Sequence, residues 1–272
     1  MHLNRRLEWT IFVILKDKVA IITGIGPGMG TEIARLFARE GASLVIGART
    51  ENKINQLSDE LKAEGAQVVA QVMDLNDRKS CLSIVEAAIQ HFGGVDILVQ
   101  NGHNPGDYKT IDEADPENWR QVMECNFFGA LHLVQLSTPS MIERGGGQII
   151  LVNSGASFEP HVGLASYAAS KAALESLVRS IAIELGPKGI RANGIHLGLV
   201  EGENVDSWVA MLADSGQKSS EEVRAEIITR EYPLGHIPLP EECAGTVLFL
   251  ASEMSAPIIG QAIMVNGGAL LR

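Results

Sequence analysis

The segment from Val19 to Glu40 constrains the fold most. VAIIT (Val19–Thr23), a run of apolar β-type residues, passes directly into the turn Thr23-Gly24-Ile25-Gly26-Pro27-Gly28-Met29-Gly30. Helical spacing follows, with Ile33, Leu36 and Phe37 on one face. A strand that is apolar throughout is buried on both faces, as strands inside a parallel sheet are. Glycines at a strand-to-helix turn permit a tight bend and let a diphosphate approach the backbone. The helix N-terminus there presents free N–H groups and the positive end of its dipole. A glycine string alone is weak evidence, but this position makes it strong. The alternative is a tight turn that binds nothing.

The same pattern recurs along the chain. SLVIGA (Ser43–Ala48), VVAQVM (Val68–Met73), VDILVQN (Val95–Asn101), QIILVN (Gln148–Asn153), IRANGIH (Ile190–His196) and AIMVN (Ala262–Asn266) read as further strands. Helical patterns separate them, such as Ile54, Leu57 and Leu61 before Gly65, and Ile84, Val85, Ala88, Ile89 and Phe92 before Gly93-Gly94. This alternation predicts an α/β fold: a single doubly wound domain over residues 16–272, its mostly parallel seven-stranded sheet covered by helices on both faces. Residues 1–15, MHLNRRLEWTIFVIL, are read as an extension outside that core. Arg5-Arg6 before a short apolar run faintly resembles a signal peptide, but the run is too short and no small-residue cleavage site follows.

Two helices and one insertion stand out. Asp115-Pro116 has the form of an N-cap and first helical position. The helix it opens carries Val122, Met123, Phe127, Phe128, Leu131, Leu133, Val134 and Leu136. A later helix carries Ala172, Leu174, Leu177, Val178, Ile181 and Ile183. Both are apolar around more than one face, and a sheet covers only one, so a homodimer or homotetramer is expected. Residues 201–232 break the alternation with an acidic stretch holding Trp208, Val209, Met211 and Leu212 and a helix at Ser220–Arg230. An insertion after a strand's carboxyl end lies over the ligand crevice, and this one is read as a substrate lid rather than a plain surface excursion.

Composition narrows the function. A net charge of −11 opposes a nucleic-acid partner. No stretch of about 18 apolar residues could span a membrane. Cys81, Cys125 and Cys243 are odd in number and far apart, and the seven histidines form no His-x-x-x-His pair. Neither a disulfide framework nor a catalytic metal is expected, and a reducing cytoplasm is the default location.

The stretch SGASFEPHVGLASYAASK (Ser154–Lys171) carries the candidate chemistry. Tyr167 and Lys171 at i and i+4 stand side by side on one helix face. An ammonium beside a phenol favours phenolate, bringing a group with a reference pKa of about 10 nearer neutrality as a proton donor and acceptor. The bland alternative is a solvated lysine one turn after a buried tyrosine. At the end of the second strand, Gly47-Ala48-Arg49-Thr50 lacks the carboxylate that usually binds the ribose hydroxyls of NAD, and Arg49 can pair with a 2′-phosphate. NADP(H) is therefore favoured and NAD(H) is possible; Arg49 could instead be a solvated cation while Glu51 sets the preference.

These residues together resemble the short-chain dehydrogenases/reductases, in the form of about 250 residues with a Rossmann-type domain, from about Leu15 to Gly268. Thr23, Gly24, Gly28 and Gly30 are similar to the family's T-G-x-x-x-G-x-G loop, and Asp74 resembles its adenine-binding aspartate. Asn126 in ECNFFGA resembles its asparagine, and Ser154, Tyr167 and Lys171 fit its Ser…Tyr-x-x-x-Lys spacing. ELGPKGIRAN, PEECAGTVLFLAS and GQAIMVNGG resemble its C-terminal half. The resemblance implies that Tyr167 is the general acid and base, that Lys171 lowers its pKa and binds the nicotinamide ribose, that Ser154 binds the carbonyl oxygen, and that Asn126 holds a water linking Lys171 to solvent. Ser157 is the competing serine, three residues too late. The implied cofactor contacts are Gly24, Gly28, Met29, Gly30, Arg49, Asp74, Leu75, Asn101, Gly102, Gly198 and Val200, with Tyr167 and Lys171.

Some positions depart from the family pattern. Gln100 and His103 replace residues of its N-N-A-G turn, Leu197 replaces a proline, and Gly202 replaces a nicotinamide-binding threonine. His103, His161 and His196 could touch substrate or be structural. Phe158, Val162, Trp208 and Met211 suggest an apolar substrate. The expected activity is hydride transfer between a nicotinamide and a secondary alcohol or ketone, of the alcohol dehydrogenase or carbonyl (3-oxoacyl-type) reductase kind. A non-catalytic nucleotide-binding member of the family is the alternative.

Overall fold

A computed structural model describes residues 13–271 of the chain. Among the described residues seven strands form one parallel sheet: β1 (Val19–Thr23), β2 (Ser43–Ala48), β3 (Val68–Val72), β4 (Ile97–Gln100), β5 (Gly147–Ser154), β6 (Ile190–Leu197) and β7 (Ala262–Val265). Their spatial order is β3-β2-β1-β4-β5-β6-β7. Chain order thus reverses between β1 and β4, where Ile21 lies opposite Leu98 and Thr23 opposite Gln100. The fold is α/β and doubly wound.

Strict alternation along the strands divides the core in two. Ile21, Val45, Leu98, Ile149 and Leu151 face one side, against α3 (Arg78–Phe92), α5 (Gly129–Glu143) and α6 (Ala165–Leu185). Ala20, Ile22, Ile46, Val99, Ile150 and Ile195 face the other, against α1 (Met29–Arg39), α2 (Glu51–Ala63) and α9 (Pro240–Ala251). None of the described helices is long and apolar enough to cross a membrane.

Local chemistry sets the helix ends. Asp77 and Asp115 cap α3 and α4 (Pro116–Met123), each accepting a hydrogen bond from a first-turn N–H at 3.0 and 2.9 Å. Gly93 closes α3 in the left-handed conformation at φ 81°. The sequence suggests one helix running on from Pro116, and the backbone is helical without a break from α4 into α5, but not with one regular period. A π-helical turn, Glu124–Phe128, joins them and carries Asn126. Such a bulge widens one turn and swings its side chains off the regular helical positions, and no hydrophobic periodicity signals it.

Of the expected N-terminal extension, residues 1–12 lie outside the described residues. The boundary placed at residue 16 shifts, because Leu15 is 1% exposed within the core and its N–H donates to the Glu40 carbonyl at 2.9 Å. The stretch 201–232 forms α7 (Glu203–Gly216), which the sequence did not suggest, and α8 (Ser220–Glu231). Val205, Val209, Ala213, Val223 and Ile227 give the pair a small core of its own, and Tyr232 and Ile237 join it. Arg224 ties α8 to Glu201 and Asp206, and Ser219 and Glu222 make a capping box.

Asp96 pins the start of the sheet. One carboxylate oxygen accepts the Val19 N–H at 2.8 Å, and the pair of oxygens holds Arg144 in a fork at 2.9 and 2.8 Å. Asp96→Ala strands the Val19 N–H and the guanidinium, and is expected to cost about 2–4 kcal/mol in urea unfolding. Unchanged stability would remove Asp96 from this role.

Candidate active site

The carboxyl ends of β1 and β4 open onto a crevice of about 710 Å³, at the point where ligands bind in sheets of this topology. Its floor depends on missing side chains. Gly24 has φ 75°, and a Cβ there would sit 2.2 Å from the Gly102 nitrogen; a Cβ on Gly30 would sit 2.3 Å from the Gly24 carbonyl oxygen. Asn101 ties the turn to β4 by donating to the Gly24 oxygen at 2.9 Å. Gln100, in place of the family's asparagine, donates to the Gly102 oxygen at 2.7 Å and braces the same contact. Gly28 precedes α1 without a side-chain cap, so the first N–H groups of that helix are free for an anion.

Gly28, Met29, Gly30, Asp74 and Leu75 line this end of the crevice, and Gly198 and Val200 line it beyond β6. Arg49 is exposed at its mouth, past the end of β2. Lys53, in the first turn of α2, lines the crevice with it. Lys53 is not among the residues expected to bind the cofactor. Its place four residues after Arg49, at a helix start beside the crevice, was the available signal.

Ser154, Tyr167 and Lys171 also line the crevice. Ser154 is the last residue of β5, Tyr167 lies in the first turn of α6, and Lys171 follows one turn later. The Tyr167 side chain hydrogen-bonds Ser154. Lys171 is 2% exposed; its ammonium donates to the Val152 carbonyl at 2.8 Å and lies 5.6 Å from the Tyr167 ring centre. Burial pushes the lysine down to about 8, with the Cys125 thiol acting the other way. Burial likewise pushes the Tyr167 phenol up to about 12, against the Ser154 hydrogen bond that favours phenolate. The expected drop in the tyrosine pKa is therefore absent: desolvation outweighs the Ser154 hydrogen bond.

Asn126 is the one residue of the expected set that stands behind the crevice wall. It is fully buried, and its carboxamide donates to the Asn104 carbonyl at 2.9 Å and to Ser170 Oγ at 2.8 Å, while its oxygen accepts the Asn104 N–H at 2.7 Å. Ser170 in turn donates to the Tyr167 carbonyl at 2.7 Å. Asn126 thus braces the loop after β4 against the first turn of α6. Its side chain is committed to these bonds rather than directed at Lys171.

His103 reaches Tyr167, with ring centres 5.9 Å apart. It is exposed to the crevice, and desolvation there, with the nearby Lys171 charge, lowers its pKa to about 4. Gly202 opens α7 at φ 143° and lines the crevice without a side chain to offer. Phe158, Val162, Trp208 and Met211 are not part of the crevice lining. Phe158 packs on His196 at 4.7 Å between ring centres, Trp208 packs on the α7–α8 core, and Val162 and Met211 are 90% and 59% exposed. Of the four, only Trp208 is claimed by the core of the insertion's own helix pair.

A family model for short chain dehydrogenases matches residues 18–213. The chain is a short-chain dehydrogenase/reductase. It thereby belongs to a family of hydride-transferring oxidoreductases. It is 34% identical over 256 residues to dehydrogenase/reductase SDR family member 4 of Oryctolagus cuniculus, covering 94% of each chain. It is also 34% identical to the 7alpha-hydroxysteroid dehydrogenase of Escherichia coli K12, over 94% of this chain and 95% of that one. Among solved structures, L-sorbose reductase from Gluconobacter frateurii, complexed with NADPH and L-sorbose, superposes with a TM-score of 0.91 at 31% identity. The match covers 96% of this chain and 100% of that one.

Lys171 gives a test by titration. Its folded-state pKa lies below the ordinary 10.5, so between about 8 and 10.5 the unfolded chain holds a proton that the folded protein does not. The folded state therefore gains stability as pH rises through that window, and below it the burial cost is constant. Urea unfolding of the unliganded protein from about pH 8 to about pH 10 should show wild type gaining on Lys171→Met. Parallel curves would contradict a buried, charged Lys171.

Proposed function

We propose that this dehydrogenase interconverts a secondary alcohol and a ketone, using NADP(H). One observation carries the reading: Ser154, Tyr167 and Lys171 meet in the same crevice whose far end offers the glycine turn, the α1 N-terminus and the cations Arg49 and Lys53. The bound nicotinamide supplies or takes the hydride. Tyr167, protonated at neutral pH, gives its proton to the carbonyl oxygen in reduction and accepts it back in oxidation. Ser154 hydrogen-bonds that oxygen as negative charge develops on it. The Lys171 ammonium stabilises the phenolate left behind, and hydrogen-bonds the nicotinamide ribose. Arg49 and Lys53 pair with the 2′-phosphate, and the NADPH bound by the similar L-sorbose reductase supports that choice.

His103 and the Asn104 loop make the wall beside Tyr167 polar, which suits a ketone carrying hydroxyl or second carbonyl groups better than a wholly apolar one. Helices α7 and α8 form the lid. The outward apolar residues Phe128, Ile142 and Ile183, exposed at 41%, 41% and 77% on or beside α5 and α6, are covered by further copies in a homodimer or homotetramer. The buried free thiols suit a reducing cytoplasm.

The test is reduction of L-sorbose, 2,3-butanedione and a 7-oxosteroid with NADPH and NADH. Wild type should favour NADPH, and Arg49→Asp should lower its kcat/KM by about 10- to 100-fold while sparing NADH. Tyr167→Phe should lose turnover by about 1,000-fold or more with the NADPH Kd within a few-fold of wild type. Absence of an NADPH preference would overturn the cofactor assignment, and full activity in Tyr167→Phe the mechanism. Tight NADPH binding with no turnover of any ketone would make the protein a nucleotide binder.

A further inference from the structure

His196 sits in β6 opposite Asn153 of β5 and is fully buried. Its Nδ1 lies 3.0 Å from the Ser154 carbonyl oxygen and 3.2 Å from Ser157 Oγ. Ser157 Oγ gives its single proton to the same carbonyl at 2.9 Å. These contacts assign the tautomer. A lone pair on Nδ1 would face a carbonyl oxygen at hydrogen-bond distance, so Nδ1 carries the proton and donates it to Ser154, and Nε2 keeps the lone pair. Nε2 is enclosed and has no hydrogen-bond partner. An orphaned buried acceptor costs stability, and an apolar side chain here would avoid that cost. What distinguishes a histidine at this place is therefore the bond at the other nitrogen.

Ser154 needs that bond. It is the last residue of β5, extended at φ −142°, and the chain turns at once into the single 3-10 turn Gly155–Ser157. Its N–H donates to Asn153 Oδ1 at 2.9 Å, and its Oγ accepts the Ala156 N–H at 3.2 Å. The carbonyl is the remaining handle, and His196 and Ser157 both grip it. The imidazole also packs on Phe158, holding the chain just beyond the turn.

We propose that His196 is a positioning residue that holds the Ser154 peptide so that Oγ faces the reacting carbonyl, with Ser157 as the second donor on the same oxygen. This rests on the reading of Ser154 given above. His196→Leu keeps bulk and removes the donor, whereas His196→Asn restores an N–H close to the Nδ1 position. With NADPH and whichever of L-sorbose, 2,3-butanedione or the 7-oxosteroid is reduced fastest, the leucine variant should lose about 10- to 100-fold in kcat. Its NADPH Kd should stay within about twofold. The asparagine variant should recover most of the loss. In a Ser154→Ala background His196→Leu should cost almost nothing more, because the two act as a unit.

A leucine variant that binds NADPH and turns over like wild type would overturn the proposal, as would losses that multiply with those of Ser154→Ala. If the leucine variant does not fold, Ser157→Ala carries the same test on the same oxygen. A smaller kcat loss that vanishes in the Ser154→Ala background supports the proposal, and wild-type kcat overturns it. Undiminished turnover in Ser154→Ala, or no reduction of any of the three ketones, refutes instead the reading of the site on which the proposal stands.

Discussion

The contact on which the rest depends is backbone against backbone, between the turn after β1 and the end of β4. Gly24 and Gly102 approach so closely that a Cβ on Gly24 would meet the Gly102 nitrogen at 2.2 Å. Asn101 and Gln100 then lock the approach with side-chain bonds to the two glycine carbonyls. Because β1 and β4 are neighbours at the point where chain order reverses, this contact fixes the bottom of the crevice. The α1 N-terminus, the β2 tip with Arg49 and the β5 end with Ser154 are all held relative to it. The close approach leaves the helix N–H groups bare, and bare N–H groups are what an anionic ligand can use.

A second constraint is electrostatic. Lys171 is a buried cation, held by the Val152 carbonyl, and Tyr167 beside it is a phenol that desolvation holds well above its ordinary range. Both groups are thus kept away from their solution behaviour by burial. This arrangement suits Tyr167 as a proton donor. Using it as a base calls for the positive charge of Lys171 and the hydrogen bond from Ser154 to act together, which makes the placement of Ser154 more than local detail. The support behind these residues is polar, with Asn126, Ser170 and His196 buried. Asn126, Asn104 and Ser170 tie the loop after β4 to α6, and His196 and Ser157 tie down the end of β5. Side chains tied down by several hydrogen bonds hold reacting groups in place more firmly than loops alone could.

Much of this was legible in the residue order. Alternating apolar strands and amphipathic helices, with glycines after the first strand, determined the α/β class, the parallel sheet and the place of the crevice, because period and turn chemistry are local properties. The spacing of Ser154, Tyr167 and Lys171 brought three reactive side chains together, since a helix carries i and i+4 on one face and a strand end precedes it. What tertiary structure alone decided is the environment of those groups. Desolvation of Tyr167 reversed the pKa shift expected from its neighbour, because burial depends on every element packed around a residue. The π turn that seats Asn126, the self-contained core that claims Trp208, and the pairing of His196 with the Ser154 carbonyl join residues about 20 to 40 positions apart or break a regular period. No local pattern encodes such contacts, because they exist only once the sheet has been assembled.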